Sequence, residues 1–188
     1  MSMEKKFVSR AAQKLEHGLN TFKFDITGLV CADFGSSTGG FVEVLLSRGA
    51  QKVYSVDTSY GELAWTLRND PRVVVLERTN ALHVTLPELM DFISIDTSFT
   101  KQSLILPSAL TNLKSGGYII SLLKPHYEAD KSELIKGVVP EATLAAIVER
   151  VVAAIKTNSV VEFITITESP IVGLRGGNRE FLLFLRKV

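Results

Sequence analysis

Cysteine is almost missing from this sequence. Cys31 is the only one in 188 residues, so no disulfide can form within the chain, as suits a reducing compartment. Its place in the apolar stretch 29–32 makes it a buried hydrophobe rather than a nucleophile. Long hydrophobic runs are missing too. No stretch approaches the roughly 18–20 apolar residues that a bilayer span requires, and the opening M-S-M-E-K-K-F lacks the apolar core of a secretory signal. A cytoplasmic protein without membrane association is expected. Nor is there an excess of one charge: 21 Lys and Arg against 20 Asp and Glu leave a net +1, so bulk charge does not announce a nucleic-acid binder. The cations are unevenly spread, however, with Lys5, Lys6, Arg10, Lys14 and Lys23 facing only Glu4 and Glu16 near the start. His17, His83 and His126 share no ligand spacing and no Cys/His cluster exists, so no metal centre is expected.

What is present is an ordinary globular composition, 46% hydrophobic and 22% charged, long enough for one domain with a proper core. The pattern divides into a basic helical segment, 1–24, and an α/β core, 25–188. The organising stretch is 29–41, L-V-C-A-D-F-G-S-S-T-G-G-F: an apolar strand ending at Asp33, a glycine-rich turn, and the start of a helix. Before it, Ser9 is expected to cap a helix reaching about Asn20. After it, the periodicity predicts a helix over 40–48 closed by Gly49, a strand over 53–57, a helix over 60–69, and a strand over 72–77. A helical turn follows Pro87, then a strand over 91–96, a helix over 101–114, and a strand over 118–123 closed by Lys124-Pro125. An irregular stretch with a helical turn at 131–136 leads into an amphipathic helix over 141–157. Strands over 160–167 and 180–185 then follow with no helix between them, so they should pair as an antiparallel hairpin. The expected fold is a Rossmann-like, doubly wound α/β sheet of seven mainly parallel strands, the last antiparallel, with helices on both faces.

The glycine-rich turn and the helix start behind it form a site for a nucleotide-like ligand. Gly35, Ser36, Ser37, Thr38, Gly39, Gly40 and Phe41 are its candidate contacts. Asp57, 22 residues beyond Gly35, is spaced to place a carboxylate on ribose hydroxyls. Either NAD or S-adenosyl-L-methionine offers such a ribose. The dinucleotide fingerprint G-x-G-x-x-G would need glycine where Ser37 stands, and Asp33 suits a sulfonium or an ammonium better than a pyrophosphate. S-adenosyl-L-methionine is therefore the better fit. Thr58 would flank the ribose, and Asn80, with Thr79 beside it, would meet the adenine. Trp65, near Leu63 and Leu67, is expected to pack in the core, and Tyr127 either packs, stacks on a base or closes over the cofactor.

Nine collinear motifs carry a specific resemblance. They are V-S-R-A-A-Q-K-L-E (8–16), D-F-G-S-S-T-G-G-F (33–41), V-D-T-S-Y-G-E-L-A-W-T-L-R (56–68), D-P-R-V (70–73), E-R-T-N (77–80), D-T-S-F (96–99), K-P-H-Y-E-A (124–129), S-P-I (169–171) and G-N-R-E-F (177–181). Together they resemble the methyltransferase domain of the TlyA/hemolysin-A group, within the FtsJ-like ribose methyltransferases. Members usually carry an S4-type RNA-binding domain ahead of this one, and the sequence is expected to be the methyltransferase domain without it. The resemblance implies a class I methyltransferase that uses S-adenosyl-L-methionine and acts on ribosomal RNA within ribosomal subunits, at the ribose 2′-hydroxyl.

It also implies a Lys-Asp-Lys-Glu catalytic set at Lys14, Asp96, Lys124 and Glu180. Lys124 would take or stabilise the hydroxyl proton, since crowding and desolvation make an amine easier to deprotonate. Asp96 would orient Lys124 and lie near the methyl group, while Glu180 and Lys14 complete the network. Taken singly, Lys14 reads as a solvated helix-face lysine and Glu180 as a hairpin charge. Jointly, in order and each inside a matching motif, the four read as a site. The alternatives are a catalytically silent RNA-binding scaffold and a membrane-active hemolysin. The only strong amphipathic helix, 141–157, carries little basic charge for the second.

Overall fold

The strands of this chain are short apolar runs flanked by turn residues, and they assemble into one sheet. The computed structural model describes residues 7–174 and 176–188. Seven strands, β1 (Val30–Phe34), β2 (Lys52–Val56), β3 (Val73–Leu76), β4 (Met90–Ile95), β5 (Leu113–Leu123), β6 (Val161–Glu168) and β7 (Phe181–Lys187), lie in the order β3-β2-β1-β4-β5-β7-β6. The first five pair in parallel, and β7 runs antiparallel to both β5 and β6. The hairpin expected from the missing crossover helix is therefore present, with β7 inserted between β5 and β6. The interior strands are apolar on both faces because helices cover both sides.

On one face, α4 (Gln102–Thr111) and α6 (Glu141–Lys156) pack Ile105, Ala109, Val151 and Ile155 against Ile93, Ile95 and Leu183. On the other, α1 (Ala12–Phe22) and α2 (Gly40–Ser47) pack Leu15, Leu19, Phe41 and Leu45 against Phe92, Ile120 and Leu182. Gly18 lets α1 approach the sheet, since a Cβ there would stand 3.2 Å from Leu182 Cδ1. The Arg48 guanidinium, bonded to Glu16 and Asn20, fastens α1 to α2. The described part of the basic amino-terminal segment, 7–24, is thus an integral layer of the fold, with Lys14 reaching the cleft at the carboxyl ends of the strands, while Glu4, Lys5 and Lys6 lie outside the described residues. The strand order reverses between β1 and β4, and an open α/β sheet binds its ligands in the crevice that this reversal leaves.

Several local expectations are corrected. The helix predicted over 60–69 is only the single turn α3 (Trp65–Arg68), because Ser59 is tied back to Asp57 and Gly61, at φ +77°, cannot continue a helix. Trp65 is 75% exposed rather than packed; Leu63 and Leu67 enter the core, with Ala64 packed against it. The residues after Pro87 form a bend without a helical turn. Strand β5 begins at Leu113, running through Ser115-Gly116-Gly117 instead of after it. Ser9 does not cap the helix directly. It heads a turn, accepting the Ala11 N–H on Oγ at 3.2 Å and the Ala12 N–H on its carbonyl at 3.2 Å. Past β5, α5 (Pro125–Glu128) occupies the start of the stretch read as irregular, whereas the 3₁₀ turn Lys131–Glu133 falls where a helical turn was expected. Cys31 is buried in β1 as expected, where burial raises its thiol pKa far above the ordinary value.

Candidate active site

The loop after β1 is shaped by one close approach. Gly35 has φ +88°, and a Cβ on it would stand 2.6 Å from the Asp96 carbonyl oxygen. The turn following β1 therefore lies directly on the segment following β4, and only glycine permits it. Ser37, also at positive φ (46°), is held there by donating its N–H to Asp57 Oδ2 at 2.7 Å. The other Asp57 oxygen accepts from Ser59 N–H at 2.8 Å and Ser59 Oγ at 2.7 Å. Asp57 thus locks the loops after β1 and β2 to one another. Thr79 donates its N–H to the Asp57 carbonyl at 2.9 Å, which adds the loop after β3 to the same knot.

These loops bound a cavity of about 390 Å³ at the carboxyl edge of the sheet. Lys14, Asp33, Gly35, Ser36, Ser37, Thr38, Gly40, Phe41, Asp96, Lys124 and Glu180 all line it. Gly39 lies behind the loop against Leu63 and Leu67. Asp57, Thr58, Thr79 and Asn80 do not line the cavity. They sit on the adjoining loops, where Asn80 is exposed and uses its Oδ1 to accept the Leu82 N–H. The wall also contains Ser9, Arg10, Ser98, Phe99, His126, Tyr127 and Leu174. Among these, sequence reasoning offered only Tyr127 as a ligand contact. Phe99 carried a signal in hindsight, as the last residue of D-T-S-F; it is 77% exposed at φ +57°, its ring 5.0 Å from that of Tyr127.

Across the cavity floor runs a chain of alternating charges. Lys124 Nζ stands 2.6 Å from Asp96 Oδ1 and donates to the Thr97 carbonyl at 3.0 Å. Asp96 Oδ2 is 3.7 Å from Lys14 Nζ, which is 2.6 Å from Glu180 Oε2. The two lysines are therefore not crowded against each other: Asp96 stands between them. The four side chains come from α1, the ends of β4 and β5, and the residue before β7. All four are largely buried, Lys14 at 8% and Glu180 at 4% side-chain exposure. A lysine and a glutamate so deep in a protein need each other, because either alone would be an unpaired buried charge.

Two further polar groups have no such partner. Asp33 is fully buried, accepts the Ser94 hydroxyl on Oδ1 at 2.7 Å, and has nothing on Oδ2 among the described residues. Burial pushes its pKa up to about 8, with Asp96 and Asp57 repelling the anion and the Ser94 hydrogen bond opposing the rise. The His126 Nδ1 is likewise buried without a partner, and burial together with Lys124 holds its imidazole below the usual value. Among the described residues no group of three or more His, Cys, Asp or Glu could hold a metal ion. What the described residues bring to the cleft is an anchored glycine-rich loop, with the Asp57 carboxylate tying the adjoining loops and the buried acid Asp33 keeping one oxygen without a partner.

A seven-stranded sheet in this order, with such a cleft at its carboxyl edge, defines a Rossmann-like methyltransferase. The chain belongs to the FtsJ-like methyltransferase family, whose model matches residues 7–187. It is 42% identical over 188 residues to the 16S/23S rRNA (cytidine-2′-O)-methyltransferase TlyA of Mycobacterium tuberculosis, covering 97% of this chain and 69% of that protein. It is 38% identical over 136 residues to Hemolysin A of Brachyspira hyodysenteriae, covering 70% of this chain and 57% of that one. The solved structure of a hemolysin-named protein from Streptococcus thermophilus superposes with a TM-score of 0.92 at 36% identity, over 100% of this chain and 70% of the other. The N-methyltransferase NodS of Bradyrhizobium japonicum, solved with S-adenosyl-L-homocysteine, superposes at 0.63 with 14% identity over 98% of this chain and 89% of that one, a likeness of fold alone.

Proposed function

We propose that the chain transfers a methyl group from S-adenosyl-L-methionine to the 2′-hydroxyl of a ribose in ribosomal RNA, in the cytoplasm. The observation that carries this reading is the buried chain Lys124–Asp96–Lys14–Glu180 on the cavity floor. The relative from M. tuberculosis is named for this chemistry on cytidine, and the residues present suit it.

The donor supplies an activated methyl on a sulfonium; the chain must orient the acceptor and deal with its proton. An amine has three positions, and Lys124 gives one to Asp96 and one to Thr97. The remaining one is left for the ribose oxygen, to take its proton or hold the oxyanion that forms. Asp96 fixes that amine and keeps Lys14 at bay, and Glu180 neutralises Lys14. Phe99 and Tyr127 offer an aromatic ledge at the mouth on which a base can stack. Asp33 and the 35–41 loop would hold the amino-acid end of the donor, and Asp57, Thr58, Thr79 and Asn80 its nucleoside end, the knot around Asp57 carrying the ribose.

The test is methyl transfer from labelled donor to ribosomal subunits, followed by digestion to nucleosides. Label in a 2′-O-methylated nucleoside, lost by about 10²–10⁴-fold in Lys124→Ala as expected for a proton-handling group, supports the reading. Donor affinity in that variant should stay within about threefold, since Lys124 serves the acceptor. Label in a base would exclude it. The hemolysin naming of two relatives suggests membrane damage instead. Among the described residues no helix is long and apolar enough to cross a membrane, and leakage from dye-loaded vesicles at enzyme concentrations would decide for that alternative.

A further inference from the structure

Two segments supply the central ion pair of the cleft: the stretch after β4 carries Asp96, and Lys124 stands between β5 and α5. On the cleft side Lys124 joins them, reaching Asp96 Oδ1 and the Thr97 carbonyl. They are fastened a second time from behind, through the start of α4. The first N–H groups of a helix have no partner within it, and Lys101, which precedes α4, has no side-chain acceptor to cap them. Glu128, the last residue of α5, caps them instead: its Oε1 accepts the Gln102 N–H at 2.6 Å. In the reverse direction Lys101 Nζ donates to the Glu128 carbonyl at 3.3 Å. The Gln102 side chain completes the fastening, donating to the Leu122 carbonyl at 3.1 Å and accepting the Ser121 hydroxyl at 2.7 Å.

Glu128 is only 9% exposed, a carboxylate placed where charge is costly. Burial works against its ionised form, while the Gln102 N–H, Lys101 and Arg150 work for it. It borders a separate cavity of about 360 Å³ between α4 and α6, beside Arg150, Val151 and Ile155. It is not part of the cleft wall. An apolar side chain would fill the position at less cost; what the carboxylate adds is an acceptor for α4.

We propose that Glu128 is a positioning residue for methyl transfer: by capping α4 it holds the stretch 96–101 against 124–128 and so fixes Asp96 relative to the Lys124 amine. This rests on the reaction proposed above and adds a residue that touches neither donor nor acceptor. With two positions of the Lys124 amine set by Asp96 and Thr97, the third is aimed at the ribose oxygen. A shift of α4 carries Thr97 and Asp96 with it, and the amine turns away. Phe99 and Tyr127 lie on the same two segments, their rings 5.0 Å apart. The donor loops are tied independently, by Asp57. Loosening the cap therefore acts on turnover and spares donor affinity.

The experiment compares Glu128→Met, which keeps the side chain's length but offers no acceptor, with Glu128→Gln, which keeps one. Methyl transfer is measured at saturating ribosomal subunits and labelled S-adenosyl-L-methionine, and kcat is expressed per donor site counted by titration. That count removes any contribution from unfolded chain. In Glu128→Met kcat should fall by about 10–100-fold, as a misplacement of about 1 Å can cost. Its donor Kd should stay within about threefold, and Glu128→Gln should recover kcat to within about threefold of the wild type. Arg150→Met opens an ion pair to Glu133 on the wall of the same cavity without touching the cap, and should leave kcat within about twofold. Wild-type kcat per site in Glu128→Met, or a loss in Glu128→Gln as deep as in Glu128→Met, overturns the inference and leaves the reaction standing. Should Glu128→Met not fold, hydrogen exchange of the wild type decides. A Gln102 amide as slow as those of β5 supports the cap, and exchange at the rate of an open loop overturns it. A wild type that binds donor but methylates no RNA overturns both readings.

Discussion

At the scale of single residues, the site is a problem in placing charge inside a protein. Lys14 and Glu180 are nearly closed off from solvent and 2.6 Å apart, so removing one strands the other. Breaking such a pair typically costs about 3–5 kcal/mol, whereas replacing both partners by groups of similar shape costs far less. Lys14→Met should accordingly lower the free energy of urea unfolding by about 3 kcal/mol, and the Lys14→Met/Glu180→Gln double variant should recover a large part of it. A double that is merely the sum of the singles would mean that the pair is not coupled. Asp33 has the opposite thermodynamic signature. Its folded pKa, about 8, lies above the ordinary 3.8. The native state therefore binds the proton more tightly than the unfolded chain does. Its contribution to stability is complete below about pH 4 and is lost as the pH rises to 8. The ligand-free wild type should melt at a lower temperature than Asp33→Asn at pH 9, with the gap closing toward pH 5. These roles were only partly legible in the sequence. The motif set picked out Lys14, Asp96, Lys124 and Glu180, but nothing in it said that Asp96 would separate the two lysines. Nor could it: that depends on how α1 docks on the face of the sheet, a tertiary fact.

At the scale of elements, legibility followed the strength of the local signal. The apolar runs of most strands and the amphipathic stripes of α1 and α6 were readable; β7 inserts between β5 and β6, an order that no local pattern encodes. The stretch 60–69 was misread because its apolar spacing, Leu63 and Leu67, is helical. The carboxylate of Asp57 nevertheless pulls Ser59 into a turn and leaves Trp65 exposed. The same knot explains why Asp57, Thr79 and Asn80 flank the cavity: Asp57 and Thr79 first join loops to loops. The sharpest element-level constraint is the crossing of the β1 turn over the segment after β4. Gly35→Ala would set a Cβ 2.6 Å from the Asp96 carbonyl, at a φ that L residues rarely adopt. Backbone strain of about 1–3 kcal/mol is expected, and relief of the clash must move Asp96, so methyl transfer should fall further than the fraction folded. Gly28→Ala is the control. It shares a positive φ, +76°, but has nothing within 4 Å, so it should cost about 1 kcal/mol and leave turnover intact. Equal activity losses in the two variants would rule out the crossing as the cause.

At the scale of the whole molecule, the cleft is closed by both ends of the chain. Ser9, Arg10 and Lys14 come from one end and Leu174 and Glu180 from the other, with the glycine-rich loop and the ends of β4 and β5 between them. Arg10 spans the two ends directly, its guanidinium donating to the Val172 carbonyl at 2.7 Å. The charge chain passes from the end of β5 to the end of β4, then to α1, then to the approach to β7. No contiguous fragment contains it, so the site exists only when the complete sheet is assembled with α1 docked on it. A ligand held there should stabilise the molecule as a unit rather than one loop. With S-adenosyl-L-methionine at a hundred times its Kd, the free energy of unfolding should rise by about 2.7 kcal/mol in a single urea transition. Hydrogen exchange should slow in α1 and β7 as well as in the 35–41 loop, because opening either end of the chain would expose the occupied cleft. Asp57→Ala, which unties the three loops, should need more ligand to reach the same protection. Slowing confined to the 35–41 loop, with α1 and β7 exchanging as they do in the free protein, would mean that the amino-terminal helix rides on the site without closing it. In that case the ion pair between Lys14 and Glu180 serves the fold alone.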